Sequence, residues 1–186
     1  MELRNNERNG KKFVTVLADG KFHQTVPEGT EGAVSREYED KEGVKKTIFE
    51  LVRDEVSGVI TSHSFDASGS YGTVFKIEID NDGEVSLNTK SNFGEDFMKK
   101  FPNIDLTKPV RLVPYAFKDK GKSLKGMTVY QDDVKIESAY WDKETKKSKG
   151  GVPEPVGDTS NFDSDDWASY FTTVRKFLIK QIEDNF

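Results

Sequence analysis

The sequence predicts a mainly β fold: a small five-stranded barrel lengthened by extra N-terminal strands, with one short helix between the third and fourth barrel strands and an amphipathic C-terminal helix. Three observations predict it. Residues 47–130 read as three β-branched and aromatic runs, one apolar stripe of helical period, and two further β runs. Turn signals rich in Gly, Asn and Asp separate several of these runs. A second, broader stripe of period 3.6 lies near the C-terminus, after a stretch too poor in apolar residues to fold alone.

Taken in order, residues 13–17 (FVTVL), an Asp19-Gly20 turn, 21–26 (KFHQTV) and 33–40 (AVSREYED) supply the extra strands. Lys11, Lys12, Arg36, Lys45 and Lys46 either extend a basic track or guard strand edges against aggregation. Residues 47–64 (TIFELVRDEVSGVITSHS) form a long first barrel strand, with Gly58 as the bulge that lets it bend and serve both halves of the barrel. In 71–79 (YGTVFKIEI), Tyr71, Thr73, Phe75, Ile77 and Ile79 alternate with Val74, Lys76 and Glu78. An Asn81-Asp82-Gly83 turn then returns the chain into 84–89 as a hairpin. From Asn92 the period lengthens, and Phe93, Phe97, Met98 and Phe101 share a helical stripe that Pro102 ends. This helix is expected to plug the open end of the barrel. Residues 109–117 (PVRLVPYAF) and 124–130 (LKGMTVY) are the last two barrel strands, joined by a basic loop that holds Lys118, Lys120, Lys122 and Lys125. A Gln131-Asp132-Asp133 turn leads to a final partner strand at 134–140.

Five strands with a helix between the third and fourth is the order of an OB fold, here expected over residues 1–142. Residues 143–163, with paired glycines and two prolines, read as a flexible linker. Asp163 or Ser164 then caps a helix over 164–186 whose first turn holds Asp165 and Asp166. Its stripe of Trp167, Tyr170, Phe171, Val174, Phe177, Leu178 and Ile182 must be buried, either on its own barrel or against a second copy or another protein.

At 186 residues the chain suits one domain with extensions, and its 11% aromatic content can fill a sizeable core. The absence of cysteine excludes disulfides and thiolate metal sites. No apolar run approaches the roughly 20 residues of a membrane-spanning helix, and no signal peptide is legible, so the cytoplasm is the expected location. The formal charge of −5 is unevenly spread. Residues 150–186 hold three basic and seven acidic side chains, whereas 111–149 hold ten Lys or Arg against six Asp or Glu, with Tyr115, Phe117, Tyr130, Tyr140 and Trp141 interleaved. Lysines that attract phosphate beside rings on which bases stack are the two ingredients of sequence-tolerant single-strand binding.

Specific enzyme chemistry is not legible. Gly121-Lys122-Ser123 imitates the end of a phosphate-binding loop, but Ala116 stands where the earlier glycine is required and the context is a hairpin. His23 and His63 are far apart and lack a carboxylate at ligand spacing, and an Asn-Asp-Gly turn accounts for Asp80, Asp82 and Glu84 without calcium. No catalytic residue, metal or cofactor is expected.

The chain resembles the phage-type single-stranded DNA-binding proteins over about residues 30–141. The likeness is carried by Gly58 in the curved strand, FMKKFPNIDLTKPV from Phe97, RLVPYAF from Arg111 and MTVYQ from Met127. The ending Glu183-Asp184-Asn185-Phe186 resembles the acidic, phenylalanine-terminated tails with which such proteins recruit replication enzymes. The resemblance implies an OB fold and a non-enzymatic role coating single-stranded DNA in replication or recombination, within the host cytoplasm. Charge, ring placement and this likeness together select Arg53, Tyr71, Phe75, Lys76, Arg111, Tyr115, Phe117, Lys118, Lys120, Lys122, Lys125, Tyr130 and Trp141 as nucleic-acid-binding candidates. Trp167, Phe171 and Phe186 are the candidates for binding a replication protein or a second copy of the chain. An OB module that binds another protein or a carbohydrate is the alternative. With its acidic first turn and tip, the C-terminal helix is expected to compete with DNA, so deletion from Asp163 onward should preserve or tighten binding while impairing stability or self-association.

Overall fold

The computed structural model describes residues 11–40, 42–69 and 72–186. Its elements are β1 (Lys12–Val16), β2 (Phe22–Val26), β3 (Val34–Glu39), β4 (Lys45–Arg53), β5 (Val56–Asp66), β6 (Val74–Ile79), β7 (Gly83–Asn88), α1 (Asn92–Lys100), β8 (Pro109–Asp119), β9 (Lys122–Gln131), β10 (Val134–Lys135), β11 (Trp141–Asp142), β12 (Lys147–Ser148) and α2 (Ser164–Asn185). Short 3-10 turns cover Phe101–Asn103 and Thr159–Asn161. The fold is mainly β. Among the described residues ten strands form one sheet in the order β10-β9-β8-β5-β6-β7-β1-β2-β4-β3, and β11 and β12 make a separate ribbon. Neighbours are antiparallel except β1 and β7. Among the described residues no helix is long and apolar enough to cross a membrane.

Several boundaries differ from the expectations, each for a local reason. The run 47–64 is two strands, because three consecutive charged residues, Arg53, Asp54 and Glu55, interrupt the apolar pattern. β4 pairs with β2 and β3, while β5 begins at Val56. β5 does serve two halves: Val56–Val59 pair with β8, and Ile60–Asp66 pair with β6. Gly58 lies at the bend with φ +150°, where a β-carbon would fall 2.2 Å from Asp80 Oδ2, so no side chain fits. The register slips one step further on, between Ile60 and Ser62. The β6–β7 turn uses Asp80 and Asn81, both at positive φ, so Gly83 is a strand residue rather than the turn glycine. Asn and Asp tolerate that left-handed region well enough to hold the turn. The basic loop is mostly strand: β8 runs to Asp119, β9 starts at Lys122, and Lys120 and Gly121 alone turn the corner. β10 is two residues long, much shorter than expected.

The inward faces of β5 to β9 meet α1 in a single core. Phe75, Ile77 and Ile79 of β6 join Val85, Leu87, Phe93, Phe97, Met98, Phe101, Val110, Leu112, Met127 and Val129. Phe75 stacks on Phe65 at 4.4 Å and meets Phe97 and Phe101 at 5.7 and 5.2 Å. Ser91 caps α1, its hydroxyl accepting from the Gly94 N–H. The extra strands close over the same core. Gly20, in the β1–β2 turn at φ +75°, lies so near β8 that a β-carbon would be 2.5 Å from the Ala116 nitrogen. β2 stands five places from β8 in the strand order, so the sheet curls until this turn touches β8, although no ladder of hydrogen bonds closes it among the described residues.

Behind that turn a polar cluster is satisfied internally. His23 Nδ1 is 3.1 Å from Glu50 and its Nε2 is 3.0 Å from Asp19, while Arg36 grips the Glu50 carboxylate at 2.8 and 2.9 Å. The Arg36 bonds, with help from His23 and against the cost of burial, hold the Glu50 carboxyl below its ordinary range. Arg36 is thereby tied to this cluster, and Lys12 and Lys46 are paired with Asp82 and Asp40.

α2 docks on its own chain. Asp163 caps it through a reciprocal box with Asp166, and Val174, Leu178 and Ile182 are its buried residues. Phe177 meets Tyr140 at 5.5 Å, Phe186 meets Phe101 at 5.5 Å, and Arg175 Nε donates to the Thr89 carbonyl at 3.1 Å. Burying three aliphatic side chains, each contributing about 1.5 to 3 kcal/mol, is ample to seat the helix. Between β12 and α2, Gly150 packs against the Tyr140 ring and the Tyr170 hydroxyl donates to the Pro153 carbonyl.

Candidate nucleic-acid interface

Alternation along β8 turns Val110, Leu112 and Pro114 into the core and leaves Arg111, Val113, Tyr115 and Phe117 on the other side. Across the ladder, Arg111 pairs with Tyr130, Tyr115 with Gly126 and Phe117 with Leu124. The Arg111 guanidinium lies 4.2 Å from the Tyr130 ring centre and is partly compensated by Glu55 and Asp133, at 3.4 and 3.7 Å. Toward the tip the hairpin grows more cationic. Lys118, Lys120 and Lys122 are exposed, and with Lys125 they form no ion pair among the described residues. Phe117 is 53% exposed beside Tyr115, their ring centres 5.7 Å apart.

Tyr115 leans across β9. A β-carbon on Gly126 would lie 2.4 Å from the Tyr115 hydroxyl and 2.5 Å from Asp96 Oδ2, so glycine is required there by close approach. Burial, reinforced by Asp96, raises the pKa of the Tyr115 hydroxyl. Asp96 itself is occupied: it accepts from the Met127 N–H and from the buried Lys100, both at 2.8 Å.

Beside Tyr115 opens a cleft of about 410 Å³, bounded by α1, the β8–β9 hairpin and α2. Its cations are Lys90, Lys99, Lys125 and Arg175, its carboxylates Glu95 and Asp96, and its rings Tyr115 and Phe171. Lys99 is neutralised by Glu95 at 2.6 Å and Asp96 by Lys100. Lys90, Lys125 and Arg175 have no carboxylate partner among the described residues, so the cleft attracts anions.

The expected site residues therefore separate. Tyr115, Phe117, Lys118, Lys120, Lys122 and Lys125 stand together on the hairpin, with Arg111 and Tyr130 at its base. Phe75 is 0% exposed and is a core ring, unavailable to a base; alternation identified its face but not which face is inward. Lys76 is on the outward side of β6, paired with Asp66 at 2.8 Å and near Glu84 at 3.9 Å. Arg53 lines a different cavity of about 370 Å³ together with Phe22, Leu51 and Val56. Trp141 is on the β11–β12 ribbon, and Tyr71 lies outside the described residues. Phe171 belongs to the cleft and stacks on Trp167 at 5.8 Å, while Phe186 borders a pocket of about 340 Å³ with Ile60, His63 and Leu106. Sequence reasoning missed Lys90, Lys99 and Arg175. The one available signal was the four-residue spacing of Phe171 and Arg175, which puts them on one side of a helix. Comparison of the chain with protein-family models, with curated proteins and with solved structures found no match.

Proposed function

We propose that this protein is a non-enzymatic, sequence-tolerant binder of single-stranded DNA, acting in replication or recombination. The observation that carries the reading is the β8–β9 hairpin, where four lysines without carboxylate partners flank the rings of Tyr115 and Phe117 and lead into a cationic cleft. Lysines hold phosphates by charge, and rings hold bases by stacking without regard to their identity. The order β5, β6, β7, α1, β8, β9, with β5 bent to reach both β6 and β8, supports an OB-type core to which β1 adds itself beside β7. The resemblance to phage-type single-strand binders points the same way.

Titration of labelled oligo-dT at about 50 and 200 mM salt tests this. Four phosphate contacts on a single strand give a slope near −2.8 in log affinity against log salt, roughly a 50-fold loss across that range. Absence of binding, or binding indifferent to salt, would exclude the reading in favour of a carbohydrate or protein ligand.

A further inference from the structure

The docking of α2 buries its residues fully only from Val174 onward, although Tyr170 also packs against the core. Its buried residues, Val174, Leu178 and Ile182, begin at the middle of the helix, whereas the turns before them carry Trp167, Tyr170 and Phe171. These rings are organised among themselves. Trp167 and Phe171 are stacked at 5.8 Å with an interplanar angle of 27°, Phe162 meets Trp167 edge-on at 5.1 Å, and Tyr170 meets Phe171 at 5.3 Å. Phe171 remains 41% exposed. One turn further on, Arg175 is anchored through Nε to the Thr89 carbonyl, and both side chains line the cleft that holds Tyr115, Lys125 and Lys90. An exposed ring next to a fixed guanidinium, facing a second ring and two lysines without carboxylate partners, is complementary to a base and its phosphate.

We infer that α2 is part of the nucleic-acid site: Phe171 stacks a base of the bound single strand and Arg175 holds an adjoining phosphate, so the strand passes from the β8–β9 hairpin through the cleft onto the helix. This rests on the reading of the protein as a single-strand binder. It reverses the expectation that the helix only competes with DNA. The carboxylates of Asp163 and Asp166 are engaged in the helix cap, since Asp163 accepts from the N–H groups of Asp165 and Asp166, and Asp166 accepts from that of Asp163. They mark the end of the track, because three acidic residues beyond Trp167 repel phosphate.

Full-length variants and a fluorescence reporter test it. Trp141→Phe leaves Trp167, beside Phe171, as the sole tryptophan. Addition of oligo-dT should quench it along the same curve that anisotropy of the labelled oligonucleotide gives for that variant. Phe171→Ala should weaken oligo-dT binding about 5- to 150-fold. Arg175→Gln should also lower the salt slope by about 0.7. Binding by anisotropy with unquenched Trp167 and unaltered affinity in Phe171→Ala and Arg175→Gln would overturn the inference, leave the hairpin reading standing and assign these rings to a protein partner. Absence of oligo-dT binding in every protein, the wild type included, would overturn both.

Discussion

The ring of Tyr115 lies across Gly126, near enough that a β-carbon on the glycine would fall 2.4 Å from the phenolic oxygen and 2.7 Å from the ring carbon that bears it. Gly126→Ala must therefore displace the ring from the edge of the cleft. We expect a drop in oligo-dT affinity of up to about 150-fold, the upper end for losing one stacking ring, accompanied by a lower melting temperature because Asp96 is also crowded. Anisotropy and thermal melts of the variant check this, and unaltered affinity would show that Tyr115 does not stack.

On the proposed reading, the lysines of the hairpin act through charge alone. Replacing Lys118, Lys120, Lys122 and Lys125 together with glutamine should lower the salt slope by about 0.7 for each phosphate that is no longer neutralised. Stability should scarcely change, since none of the four has a carboxylate partner among the described residues. An unaltered slope would mean that these lysines are merely hydrated.

Leu178 is fully buried where α2 meets the rest of the chain. Leu178→Ala should cost about 2 to 5 kcal/mol in urea unfolding. If α2 unseats locally, oligo-dT affinity should fall with it, because Phe171 and Arg175 leave the cleft together. Affinity that holds while α2 loses protection from hydrogen exchange would confine the site to the hairpin.

Glu50 sets a pH dependence with a definite sign. Its folded carboxyl titrates below its unfolded value of about 4.3, so the folded state binds fewer protons and the contribution to stability is complete above roughly pH 5. It is lost as the pH falls through the folded value. Glu50→Gln should therefore destabilise the protein by about 1 to 3 kcal/mol at pH 7 and by less near pH 3. Urea unfolding at the two pH values measures the difference, and an equal loss at both would remove Glu50 from the acid limb.

Much of the fold was legible because strands advertise their period. β6, β7 and α1 carry uninterrupted patterns, and the positions of Phe75, Ile77, Phe93, Phe97 and Phe101 followed from them. What stayed hidden depended on distance. Nothing local tells that Phe75 faces inward, that Arg36 belongs to Glu50, or that Lys76 meets Asp66 across a hairpin. The cleft is assembled from α1, the β8–β9 hairpin and α2, three separated stretches whose meeting is fixed by packing, so only its hairpin part could be read in advance.

The seat of Gly20 against Ala116 bears on how the chain acquires its shape. The two residues are about a hundred apart in sequence, and among the described residues no backbone ladder draws them together. Bringing such distant points into register costs loop entropy before any packing rewards it, which places the event after the local hairpins β6–β7 and β8–β9 have formed. An interaction made after the folding barrier governs the speed of opening rather than of closing. If the Gly20 seat closes after that barrier, a substitution that loosens it should speed unfolding and leave refolding nearly unchanged.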